Sequence, residues 1–156
     1  MGVGVVNESS ANVDVESLVA QGEWLIAALG LNPECELSVA LVDADRMERL
    51  HVEWMDEPGP TDVLSFPMDD LRAPETSTDD APLGVLGDVI MCPEVAAAQA
   101  LTAGHSTASE YELLLTHGVL HLLGHDHAEP DEHAVMFGLQ DQLLVRWREH
   151  STGTAT

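Results

Sequence analysis

Three histidines in the stretch HGVLHLLGHDH have the spacing of a metal site: His117, His121 and His127. On a helix, His117 and His121 stand one turn apart on the same face. Gly124 can take the left-handed conformation that ends a helix, and the turn would bring His127 to the same point. Three neutral imidazoles that converge on one point predict a zinc site, with one Zn²⁺ per chain and an open fourth position.

Two further residues of this stretch bear on its chemistry. The spacing matches the zinc-peptidase pattern H-E-x-x-H-x-x-G-x-x-H, but Gly118 stands where that pattern has its general base. A glycine cannot accept a proton, which indicates a hydrolase with another substrate or a structural metal. We expect His125, between the predicted ligands, to point to solvent, while its use as the third ligand instead of His127 stays open.

Composition limits the class of protein. A chain of 156 residues with 45% hydrophobic residues suits one globular domain with one core. No apolar run is long enough to span a membrane, and we see no secretory signal, so Cys35 and Cys92 are expected to be reduced thiols in the cytoplasm. The net charge of −23, with five Arg and no Lys, counts against nucleic-acid binding in general.

Hydrophobic periodicity predicts the element order β-α-β-α-β-β-α-α-α. The fold class is therefore α+β: a single domain, residues 1–150, with a mixed sheet of about four strands, about five helices and a disordered tail at 151–156. Residues 61–67 and 83–91 are expected to pair as a hairpin across a flexible loop at 68–82.

The predicted metal-bearing helix is apolar nearly all round, so we expect it to be the buried central helix. Thr107 and Glu110 have the spacing of a capping box at its start. Buried polar groups without a partner cost roughly 1–3 kcal/mol, and metal ligation would give the two helical imidazoles a partner.

The motifs HGVLHLLGHDH, TDVLSFP, LGDVIMC and MFGLQDQLL together resemble the YbeY family of bacterial metal-dependent endoribonucleases, from roughly the first helix to Trp147. The resemblance implies a cytoplasmic single-strand-specific endoribonuclease that carries zinc on His117, His121 and His127. It implies a role in ribosome quality control and in rRNA processing, notably at the 3′ end of small-subunit rRNA. Single-stranded RNA or rRNA and the ribosome or small-subunit proteins are the implied partners, and no membrane is.

The same resemblance implies that TDVLSFP lines a cleft facing the metal, which makes Asp62 and Ser65 candidate groove residues. Asp88 in LGDVIMC is a third candidate. For each, the alternative that it is an ordinary strand residue stays open.

One position departs from the family pattern. Family members often carry an Arg six residues before the Thr of TDVLSFP, whereas this chain has Met55. A thioether cannot clamp a phosphate as a guanidinium does. Arg46 and Arg49, on the preceding predicted helix, are candidate substitutes.

The predicted site can hydrolyse a phosphodiester without the missing Glu, because zinc lowers the pKa of bound water from about 15.7 to about 7 and polarises a phosphoryl oxygen. Whether water or the RNA 2′-OH attacks stays open. Three functions remain: the metal-dependent RNase, which we prefer; a ribosome-associated assembly factor with structural zinc and weak activity, favoured by the acidity and Met55; and a metallopeptidase, disfavoured by Gly118.

Overall fold

The computed structural model describes residues 2–69, 83–125 and 129–154, and the elements in these ranges follow the predicted order. They are β1 (Val3–Asn7), α1 (Val15–Ala28), β2 (Glu36–Leu41), α2 (Ala44–Met55), β3 (Val63–Pro67), β4 (Val85–Met91), α3 (Pro93–Ala103), α4 (Thr107–Leu122) and α5 (Pro130–Thr154). Part of the predicted loop, residues 70–82, lies outside the described ranges.

The strands form one mixed sheet in the order β1-β2-β4-β3. Strands β1, β2 and β4 are parallel, and β3 is antiparallel to β4 along the edge. The predicted α+β class, the four-stranded mixed sheet and the hairpin between β3 and β4 are therefore confirmed. Residues 83 and 84, predicted as strand, precede β4 without belonging to it.

The main core lies between one face of the sheet and helices α1 and α4. On this face the register aligns Val39 of β2 with Val89 of β4, and Val89 with Ser65 of β3. Helix α4 packs on β3, β4, α1, α3 and α5, so most of its apolar side chains are buried. The prediction of a buried central helix is confirmed.

A smaller core lies on the opposite face, where Met47 of α2 packs with Leu64 of β3. Alternation along a strand places Leu64 and Phe66 on this face and Ser65 on the other. Helix α2 thus packs on the face of the sheet opposite α4, and its last residue, Met55, reaches the rim of the cleft described below.

Helix α4 begins one residue earlier than the predicted capping box requires. Its N-cap is Ser106, whose hydroxyl accepts a hydrogen bond from the Ser109 backbone N–H at 3.1 Å. Glu110 therefore lies one position too far along for a capping box, and its carboxylate accepts from His105 Nε2 at 2.6 Å instead. The predicted box is wrong because a serine directly before the threonine serves as the cap.

The last helix extends beyond the predicted domain boundary. α5 continues to Thr154, so residues 151–154 of the predicted disordered tail are helical, and residues 155 and 156 lie outside the described ranges. Within the described ranges, no helix has the length and apolar character needed to cross a membrane.

Candidate metal centre and adjoining cleft

Helix α4 brings His117 and His121 together as the spacing predicts. Their Nε2 atoms lie 3.1 Å apart, and their rings meet edge to face with centroids 4.7 Å apart. Two imidazoles bound to zinc at about 2.0–2.1 Å in tetrahedral geometry would hold these atoms about 3.3 Å apart. The pair therefore fits two positions of a zinc site.

Gln140 of α5 orients the first of these rings. Its Oε1 lies 2.8 Å from His117 Nδ1, and since an amide oxygen only accepts, Nδ1 carries the proton and donates. The lone pair of the neutral ring is then on Nε2, the atom that faces His121. Gln140 is only 3% exposed.

Sequence reasoning missed Gln140, although a signal for it was present. The buried apolar side chains described in α5 are Met136, Leu143, Leu144 and Trp147, and Gln140 occupies a position on the same stripe at helical spacing. A glutamine on the buried stripe of an amphipathic helix requires a partner, and here the partner is the predicted ligand His117.

The predicted turn follows the two histidines. Gly124 has a φ of 94°, in the left-handed region, and its N–H donates to the His121 carbonyl at 3.0 Å. His127 lies outside the described residues, so its predicted role as third ligand stays a prediction. Within the described ranges, no three His, Cys, Asp or Glu side chains are grouped to hold a metal.

His125, which we expected to point to solvent, is half-buried and lines the same cleft as His117 and His121. This cleft has a volume of about 670 Å³ and runs between α4 and the free edge of β3. The alternative that His125 serves as a third ligand therefore stays open.

Gly118 faces the sheet rather than the cleft. A Cβ built on it would lie 2.8 Å from Val89 Cγ1 and 3.2 Å from Ser65 Oγ. Its carbonyl accepts a hydrogen bond from Ser65 Oγ at 3.0 Å. The residue directly after His117 is glycine because α4 approaches the sheet too closely here for a side chain. A glutamate base would not fit at this position.

The sheet separates one of the three groove candidates, Asp88, from the other two. Asp62 and Ser65 line the cleft. Asp88 pairs with Ser38 and Phe66 on the opposite face from Val89, and it is not among the cleft residues. The alternation of β4 decides this, because Val89 takes the face that packs against α4.

β3 is the edge strand of the sheet, and within the described ranges no strand pairs with its outer side, the free edge, whose backbone groups lie beside the cleft. Hydrogen bonds from Cys92 N to the Asp62 carbonyl and from Met68 N to the Leu86 carbonyl set the pairing with β4. The N–H and C=O of Ser65 therefore point away from β4, toward the open side of the strand. The Ser65 N–H is thus available as an uncharged donor for an anionic ligand.

Met55 lines the cleft where the family pattern places an Arg. Arg46 and Arg49 are exposed on α2 and do not line the cleft, because they lie one to three turns back and far around the helix from Met55. Among the described residues, the cleft is lined by no Arg or Lys. Arg72 lies outside the described ranges.

A polar network supports the back of the cleft. Gln99 of α3, in the amide orientation that satisfies both neighbours, donates to Asp62 Oδ2 at 3.1 Å and to Glu110 Oε2 at 3.0 Å. Glu110 is buried and also accepts from His105, as described above. The other oxygen of Asp62 accepts from the Val63 N–H at 2.8 Å. Asp62 is therefore held in place by α3 and by its own strand.

A second groove, of about 690 Å³, lies where α1, α3 and α4 begin. Its carboxylates already have structural partners: Asp14 caps α1, Glu94 accepts from the Ala44 N–H at 3.0 Å, and Glu112 accepts from Trp147 Nε1 at 2.8 Å. It contains none of the predicted site residues.

Comparison with known proteins identifies the family of this chain. The family model described as Endoribonuclease YbeY matches residues 5–148. Proteins named Endoribonuclease YbeY from Thermobifida fusca and Beutenbergia cavernae are 56% and 57% identical over 148 and 147 residues. The first alignment covers 95% of each chain, and the second covers 93% of this chain and 96% of the relative. The chain belongs to the YbeY family.

The fold also matches a solved structure. The solution structure of TM1509 from Thermotoga maritima aligns with a TM-score of 0.63 over 95% of this chain and 93% of that one. The two sequences are 24% identical, so this likeness shows the fold alone.

Proposed function

We propose that the protein is a metal-dependent endoribonuclease that cuts single-stranded RNA. The observation that carries the proposal is the pair of imidazoles with Nε2 atoms 3.1 Å apart, one oriented by buried Gln140, in a cleft of a chain whose relatives are named endoribonucleases. We further propose, from the family resemblance, that it processes the 3′ end of small-subunit rRNA, acts in ribosome quality control with the ribosome or its small-subunit proteins, and works in the cytoplasm.

His117 and His121 would hold one Zn²⁺, with His127 as third ligand and His125 as its alternative. When bound, zinc supplies Lewis acidity, which withdraws charge from a phosphodiester oxygen and lowers the pKa of water. The neutral Nδ1–H tautomer of His117 keeps its Nε2 available as a ligand.

The other cleft residues position the RNA. The Ser65 N–H on the free edge can donate to a phosphate oxygen, while the Ser65 hydroxyl is committed to the Gly118 carbonyl. Asp62, fixed by Gln99 and Val63, presents a carboxylate that can accept from a ribose hydroxyl or a water. These contacts orient the substrate but add no positive charge.

The test is cleavage of a labelled single-stranded RNA by purified protein with and without a chelator. Wild type should cut, His121→Ala should lose activity, and His150→Ala, an exposed histidine of α5, should keep it. Cutting that survives both the chelator and His121→Ala would overturn the proposal.

Metal analysis of His125→Ala and His127→Ala identifies the third ligand. The third ligand is the histidine whose replacement abolishes zinc binding, and this result does not depend on RNA cleavage. We expect loss with His127→Ala and retention with His125→Ala.

Met55 in the cleft wall favours a second function: a ribosome-associated assembly factor whose zinc is structural. This function predicts that the wild-type protein co-sediments with ribosomes even when no cleavage is measured. Absence of co-sedimentation would count against it.

A further inference from the structure

We propose that Trp54 is a stacking platform for an unpaired base of the RNA, and that this chain grips its substrate there through a base rather than through a phosphate. The inference rests on the proposed function and extends it to substrate recognition. It starts from an exposed aromatic side chain at the rim of a cleft whose described lining includes no Arg or Lys.

The position of Trp54 follows from its neighbours in the chain. Met55, the next residue, lines the cleft. The Trp54 ring packs against Phe66 of β3 in a T-shaped arrangement, with centroids 5.8 Å apart and an interplanar angle of 69°. Ser65 and Pro67, on either side of Phe66, also line the cleft. Trp54 is not itself a lining residue: its ring stands on the Phe66 face of β3, next in the chain to Met55 at the rim of the cleft.

The ring is exposed although its orientation is supported. Trp54 is 62% exposed and Met55 45%, whereas Phe66 is half-buried in the smaller core. An edge-to-face contact with a partly buried ring supports the indole, and the 62% exposure of Trp54 leaves ring surface accessible. An exposed aromatic on a supported site beside a cleft is suited to binding rather than to packing.

The chemistry of the ligand follows from charge. Met55 lies in the cleft wall where the family pattern places an Arg, and the net charge of the chain is −23. This wall therefore contributes little RNA affinity by neutralising phosphate charge. Stacking on an aromatic ring is open to any unpaired base and does not depend on charge. The adjacent thioether adds polarisable apolar contact.

The experiment compares Trp54→Leu, which keeps an apolar contact with Phe66 but has no aromatic face, with Trp54→Phe, which keeps a ring. Anisotropy of a short fluorescein-labelled single-stranded RNA measures binding to the full chain, and steady-state cleavage measures KM and kcat. Leu101→Ala is the control, because Leu101 of α3 is 85% exposed and lies away from the cleft.

We expect Trp54→Leu to weaken binding by about 5- to 100-fold and to raise KM accordingly, with kcat little changed. Trp54→Phe should retain most of the affinity. The slope of log affinity against log salt concentration should be the same for wild type and Trp54→Leu, because no phosphate contact is removed.

RNAs with a single abasic nucleotide identify the stacked base. At one position, base removal should weaken binding to wild type and have no further effect on Trp54→Leu. The stacking inference is overturned if wild type binds and cuts RNA while Trp54→Leu has the same affinity and KM. It is also overturned if the loss of affinity caused by Trp54→Leu adds to the loss caused by an abasic nucleotide at every position. If wild type neither binds nor cuts RNA, the proposed function falls as well.

Discussion

Gly118 shows how a single residue decides between two kinds of hydrolase. In the zinc-peptidase pattern its position holds a glutamate base, but here α4 lies so close to β4 that a Cβ would stand 2.8 Å from Val89 Cγ1. Val89 is fully buried and β-branched, so it cannot turn aside cheaply. The absence of the base thus follows from packing between helix and sheet as well as from residue type.

Gly118→Ala should therefore destabilise the fold. Overpacking costs about 1–3 kcal/mol, and the better helix propensity of alanine returns about 1 kcal/mol, so we expect a net loss of up to about 2 kcal/mol in urea unfolding. Gly138→Ala in α5 is the matched control, because nothing lies within 4 Å of its added Cβ. It should be neutral or stabilising, and an equal gain in both variants would contradict the packing argument.

Gln140 acts through His117 rather than on a substrate. Gln140→Leu should lower zinc affinity by about 10- to 100-fold, because His117 loses the acceptor that fixes its tautomer and ring orientation. Competition with a chromogenic chelator measures this affinity. Gln140→Glu, which keeps an acceptor oxygen, should restore much of it.

Gln142→Leu, an exposed glutamine of the same helix, controls for the general effect of a Gln→Leu change. If Gln140→Leu binds zinc as tightly as wild type does, the hydrogen bond to His117 has no positioning role.

At the scale of the element, the start of α4 shows that a capping-box motif in the sequence need not form a capping box in the structure. Ser106, Thr107 and Glu110 all suit a helix N-terminus, and the hydrogen bond to the Ser109 N–H selects Ser106 as the cap. Glu110 is thereby freed to join the network with His105 and Gln99 behind the cleft.

Ser106→Ala should cost about 1 kcal/mol of unfolding free energy, since the Ser109 N–H loses its acceptor. Thr107→Ala, one residue on, should cost less than about 0.5 kcal/mol, because Thr107 is not the cap. Urea unfolding of the two variants checks the pair. A larger loss for Thr107→Ala would restore the capping box that the sequence suggested.

At the scale of the whole molecule, the composition leaves few side chains that lose a proton at alkaline pH. There is no Lys, Arg stays charged, and the chain contains two Cys and one Tyr. Burial raises the pKa of the Cys35 and Cys92 thiols above the ordinary value of 9.0, and burial followed by the nearby Cys92 raises the pKa of Tyr111 above 10.0. These three side chains dominate the change in charge above about pH 8.

The sign of the effect follows from the direction of the shifts. A raised folded-state pKa contributes stability that is fully present below the unfolded value and is lost as pH rises through the folded value. We therefore expect the urea midpoint to hold up to about pH 8.5 and to fall from about pH 9 upward. Cys35→Ala should reduce the dependence, and a midpoint that stays constant to about pH 10.5 would contradict the prediction.

Sequence alone determined the order of the elements, the helix that carries His117 and His121, and the turn at Gly124. Each depends on local physics: the period of apolar residues, the one-turn spacing of two histidines, and the freedom of glycine at positive φ. These features need no knowledge of which elements are neighbours, which is why they could be predicted. His127 as third ligand remains a prediction.

Tertiary structure alone decided which side chains meet across elements. The strand order β1-β2-β4-β3 and the pleat put Ser65 beside Gly118 and turned Asp88 to the other face, while α5 docked Gln140 onto His117. The same packing put Met55 in the cleft wall and left Trp54 exposed on Phe66. The physical reason is that these contacts join residues far apart in the chain, where spacing carries no information about distance.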